Sequence, residues 1–217
     1  MGSIGSTLDQ HVEGGSMSWL LRDRAVAEPH YSLRDLSERD DILDAHLLGI
    51  QSAGESGWNL AIGKNQWDDG GDVFVAAVLA LSVSDNEKIE LVLDAIDESL
   101  DLQRPIVSAL AWLPWKRVES IAAKLATSPS AFRRCIGIGA FELHRRDPGE
   151  RLLEWLQDED PNVISRAVQY VVAVGRSDLF DHVAELYSET STLLNRCLLY
   201  TSPSPRDATL SRMPSSA

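Results

Sequence analysis

Three segments of this chain superpose without gaps at offsets of 30 and 32 residues: 104–113 (RPIVSALAWL), 134–143 (RCIGIGAFEL) and 166–175 (RAVQYVVAVG). Each opens on an Arg and runs on as an apolar stretch with helical spacing. A weaker copy, 74–83 (FVAAVLALSV), precedes the first by another 30 residues. A period of about 20–50 residues with helical patterning marks a stacked array of hairpins. One hairpin of that size cannot bury both of its apolar faces, so neighbours must lean on one another.

A second amphipathic stretch follows each copy, at 88–96, 118–125, 151–156 and 179–186. Polar turns separate the two, built on Ser84-Asp85-Asn86, Pro114, Asp147-Pro148-Gly149 and Ser177-Asp178. Pro129 and Pro161 each stand five residues before the Arg of their copy. Both are expected to open a first helix, where the missing N–H of Pro has no partner to lose. Small residues at aligned positions (Ala109, Gly139, Val171) let successive first helices approach closely. Arg104, Arg134 and Arg166 recur once per repeat. They read either as a ladder of cations for an anionic partner or as inter-repeat contacts, and the second reading is favoured because stacked repeats need such contacts.

The region before the repeats differs. Residues 1–7 are expected to be a disordered leader, and 8–66 an N-terminal helical region that caps the array. A first helix is predicted over 8–27, with Val12, Trp19, Leu20 and Val26 on one face. Gly14 and Gly15 weaken it, and Pro29 ends it. Ser32 caps a second helix whose stripe is Leu33, Leu36, Ile42, Leu43, Leu47 and Ile50. A short third helix covers 54–65 with Trp58, Leu60 and Ile62, and the run 67–71 (WDDGG) is a break. Residues 71–196 then hold about four hairpins. The predicted fold class is all-α, a right-handed α-solenoid with an N-terminal helical cap.

Charge narrows the function classes. Carboxylates outnumber Lys and Arg 33 to 20, a formal charge of −13. A nucleic-acid binder needs the opposite balance to release counterions, so nucleic acid is not expected as a partner. The longest apolar run, 73–83, is far short of the roughly 20 residues that span a bilayer, and no membrane association is expected. No secretory leader opens the chain, and two cysteines make no disulfide framework, so a cytoplasmic location is expected.

No catalytic constellation, cofactor site or metal site is predicted. The five histidines have no i, i+4 pair and no Cys/His spacing. His30, after Pro29, could contact a partner, although a turn residue is the simpler reading. Cys135 has Arg133 and Arg134 beside it but no base, and reads as a small core residue. Trp112 and Trp115 flank Pro114 and could form an interface hot spot if exposed together. As apolar positions at helical spacing, they and Trp155 are more often core. The carboxylates Asp94, Asp97, Glu98 and Asp101 read as a solvated face.

The phrase Asp158-Glu159-Asp160-Pro161-Asn162-Val163, then Arg166-Ala167, closing on Val174-Gly175, resembles the HEAT-like repeat consensus. A wider resemblance covers most of 11–175. It rests on His11-Val12-Glu13, Trp19-Leu20-Leu21-Arg22-Asp23, the run 29–36 (PHYSLRDL) and the run 108–114 (SALAWLP). These look like an uncharacterised bacterial family, some of whose members are encoded beside type VI secretion genes. The resemblance implies no known activity and no known catalytic residue. The expected function is therefore a non-enzymatic scaffold or adaptor for a protein partner, accessory to a bacterial secretion system. The alternative is an enzyme or chromophore-binding protein in the manner of the HEAT-like bilin lyases, and a repeat-built DNA glycosylase stands third. Residues 197–217 resemble translated sequencing-adapter DNA, so the native chain is expected to run on differently beyond Arg196.

Overall fold

A computed structural model describes residues 4–189 except 65, 66, 68, 97 and 98. The described residues form helices and turns, with no strand among them. The order is α1 (Ile4–Ala27), α2 (Leu33–Ser52), α3 (Glu55–Lys64), α4 (Gly70–Val83), α5 (Asn86–Ala95) and α6 (Gln103–Trp112). It continues as α7 (Trp115–Ala126), α8 (Ala131–Leu143), α9 (Arg151–Leu156), α10 (Pro161–Val174) and α11 (Phe180–Glu189). Short 3₁₀ turns, Leu100–Leu102 and Ser177–Leu179, lead into α6 and α11.

The helix boundaries follow from local chemistry. Ser32 and Asp35 form a reciprocal capping box at the start of α2, satisfying two otherwise orphaned N–H groups. Asp69 caps α4, Asp85 caps α5 and Asp160 caps α10, each through its carboxylate on a first-turn N–H. Pro161 is the first residue of α10, and Gly175, at φ +79°, ends it in the left-handed region. Pro129 behaves differently from expectation. Ser130 caps α8, which starts at Ala131, and Pro129 stays in the preceding turn with its carbonyl accepting from Arg134.

The helices pack in chain order. α4 lies against α6, α6 against α8, and α8 against α10, so the helices carrying the four aligned segments are successive neighbours. α7 runs beside α8, and α9 beside α10. α1 packs on both α2 and α4. This placement explains why α4 is apolar all round: everything from Val73 to Leu81 is buried, because α1, α3, α5 and α6 surround it. One apolar cluster runs from Val12 in α1 to Val171 in α10.

Three expectations for the N-terminal region need correction. α1 begins at Ile4, so residues 4–7 are helical rather than a loose leader. In α2, Leu33 and Ile42 are exposed, and the buried stripe is the narrower set Leu36, Leu43, Leu47 and Ile50. Val26 is exposed as well. The expected boundary at Arg196 and the 197–217 tail lie outside the described residues.

Close helix contact sets a strict limit at Gly137. A Cβ there would stand 2.3 Å from the backbone nitrogen of Ala126 and 2.7 Å from its Cα. Backbone cannot swing aside as a long side chain can. Gly137→Ala is therefore expected to destabilise the protein by about 1–3 kcal/mol through overpacking, although Ala is the better helix former. A urea titration followed by circular dichroism measures this, and unchanged or raised stability would show that α7 and α8 are not so close.

Candidate functional site: a groove along the first helices

A groove of about 420 Å³ runs along α1, α6, α8 and α10. Arg22, Asp23 and Val26 line it from α1, and Arg104, Val107 and Ser108 from α6. Cys135, Glu142 and Leu143 come from α8, and Arg166 from α10. The site exists because α1, α6, α8 and α10 each turn one face to a common side, so no single helix contains it.

Its charges alternate. Arg104 Nε donates to both carboxylate oxygens of Asp23, at 2.8 and 3.0 Å. Arg22 Nε donates to Asp40 of α2 at 2.8 Å. Arg166 lies across α8 at Gly139, where a Cβ would be 2.5 Å from its guanidinium. Its Nη2 stands 3.1 Å from Glu142 Oε2, and its Nη1 donates to Gln169 at 3.0 Å. The contact with Glu142 is ionic proximity without hydrogen-bond alignment. Both Glu142 Oε2 and Arg166 Nε are buried without a hydrogen-bond partner. Burial raises the Glu142 carboxyl above the ordinary carboxylate range, and Arg166 offsets only part of that rise.

The three recurrent arginines thus reach three different places. Arg104 pairs with α1 and Arg166 with α8. Arg134 does not line the groove. Its Nη2 donates to Asp158 at 2.8 Å, and its Nη1 to the carbonyls of Ser128 and Pro129 at 2.9 and 2.8 Å. It ties together the turns that precede α8 and α10.

Cys135 borders the groove but is buried. Burial first, and then the Asp160 carboxylate, push its thiol up to about 12, against the pull of Arg166 and Arg134. At neutral pH it is a thiol, a poor nucleophile. A maleimide probe at pH 7.5 is expected to leave the Cys135 peptide unmodified in the folded protein and to label it in 6 M guanidinium. Mass spectrometry of the digest reads the outcome, and fast labelling of folded protein would restore a reactive role.

The aromatic candidates are engaged internally. Trp112 is half-buried, edge-on to Phe74 at 5.7 Å, under the Arg22 guanidinium, and donates from Nε1 to Asp44 at 2.8 Å. Trp115, also half-buried, packs on Phe141 and His144. The two do not form a joint exposed patch. Trp155 is buried, and its Nε1 donates to the carbonyl of Ala126. His30 sits exposed in the turn after α1, beside Tyr31 and 3.6 Å from Glu28, at an open hollow shared with Asp35, Glu38 and Arg39. Of the acidic run, Asp94 pairs with Arg133, Asp101 is exposed, and Asp97 and Glu98 lie outside the described residues.

Two features escaped sequence reading. Asp23, the partner of Arg104, lies 81 residues away with no pattern linking them. His11 and His46 meet between α1 and α2 although no spacing relates them. Among the described residues, no group of three or more His, Cys, Asp or Glu side chains is placed to hold a metal ion. No described helix is long and apolar enough to cross a membrane. Comparison with protein-family models, with curated proteins and with solved structures finds no match to the chain.

Proposed function

We propose that the chain is a HEAT-like α-solenoid acting as a non-enzymatic protein-interaction scaffold, with the groove along α1, α6, α8 and α10 as its docking site. The supporting observation is the groove itself, a concave face to which four helices contribute and on which Arg22, Asp23, Arg104, Glu142 and Arg166 come together. An extended peptide carries an N–H and a C=O on every residue and can pair with accessible groups of the groove such as the Arg104 guanidinium, which is 62% exposed. The alternating charges of Arg104, Asp23, Glu142 and Arg166 suit a segment of mixed charge better than a polyanion. The lyase-type alternative has less behind it, since the groove lining has neither Tyr nor His and Cys135 is held as a thiol.

The resemblance to a family with members encoded near type VI secretion genes makes components of that machinery the first partners to test. Ser108→Trp places an indole in the groove from α6. This substitution is expected to abolish binding of a partner held by the unaltered protein, while the circular dichroism spectrum stays the same. Undiminished binding would move the docking site elsewhere.

A further inference from the structure

α1 and α2 carry the same short pattern, His-x-x-Gly, as His11 to Gly14 and His46 to Gly49. The two copies interlock. A Cβ on Gly14 would lie 2.2 Å from the His46 ring, and one on Gly49 would lie 2.8 Å from the His11 ring. Each imidazole therefore occupies the space that the other helix leaves by having glycine. The two rings meet at 5.4 Å between centroids and 70° between planes, with Nδ1 of one 3.3 Å from Nδ1 of the other.

We propose that the His11–His46 pair binds a borderline divalent transition-metal ion of the Zn²⁺ or Ni²⁺ kind, through both Nδ1 atoms, and so clips α1 to α2. Two imidazole nitrogens bonded at about 2.0–2.1 Å to one tetrahedral ion stand roughly 3.3–3.4 Å apart. The pair already has that separation, and without an ion the same contact serves as a long N–H···N hydrogen bond whose direction depends on the tautomers. Imidazole is the ligand type that suits Zn²⁺, Ni²⁺ and Cu²⁺. The interlocked glycines fix both rings, so little rotamer freedom is lost on binding. Both rings are only half-buried, so water would fill the remaining coordination positions. No third protein ligand joins them among the described residues, so the site is open and exchangeable. This inference does not rest on the groove.

The test adds ZnCl₂ or NiCl₂ to the full chain. At about 100 times the dissociation constant, the melting temperature is expected to rise by about 5–10 °C. His11→Gln and His46→Gln are each expected to remove that rise. No rise in the unaltered chain, or an equal rise in both variants, overturns the proposal. A second measurement avoids substitution altogether. Substoichiometric Cu²⁺ should broaden the backbone amide resonances of residues 11–14 and 46–49 before any others, and broadening centred elsewhere, for example at His30, overturns it as well.

Discussion

Phe74→Ala is expected to lower the stability of the protein by about 3–5 kcal/mol, the cost of emptying a closed aromatic site. Phe74 is fully buried in α4. Its ring stacks on Trp19 of α1 at 5.4 Å and meets Trp112 of α6 edge-on. It therefore joins α1 to α6, and its removal leaves a cavity between two indole rings. For a protein of this size the loss corresponds to a fall of about 6–20 °C in melting temperature. Val83 is the natural control, since it closes the same aligned segment but is 64% exposed. Val83→Ala should change stability by less than about 0.5 kcal/mol. Thermal unfolding followed by Trp fluorescence measures both, and equal costs would mean that α4 is not enclosed.

Arg134→Ala is the second large effect, expected at about 2–4 kcal/mol. The Arg134 and Asp158 side chains are 18% and 13% exposed, so removing the guanidinium strands a shielded carboxylate and frees two backbone carbonyls. Arg104→Ala should cost under about 1 kcal/mol, because Arg104 is 62% exposed and water replaces much of what Asp23 provides. Denaturant titrations of the two variants decide the matter. Similar costs would mean that the recurrent arginines act as equivalent repeat contacts, which their different surroundings exclude.

These two arginines also show how far the sequence reaches. Their alignment was visible at once, because a helix repeats its chemistry wherever the same packing recurs. Their partners were not, because one finds Asp23 in α1 and the other finds the turn before α10. The second helices were predicted to within a few residues from amphipathic spacing. α2 was harder: Leu33 and Ile42 belong to its apolar set, yet its neighbours α1, α3 and α4 cover only the side bearing Leu43, Leu47 and Ile50. In α1, Gly14 and Gly15 looked like weaknesses in a helix. They are instead where His46 and Ile50 of α2 come in against α1.

The sequence by itself determined that this chain is helical and where most of its helices start and stop. Those properties depend on neighbours three and four residues apart and on caps one turn long, all of which are local. Only the tertiary structure decided which charges share the groove, that Glu142 and Arg166 are left with unmet hydrogen-bonding atoms, and that two histidines 35 residues apart touch. Those properties depend on which faces of separate helices meet, and no periodicity along a single helix carries that information.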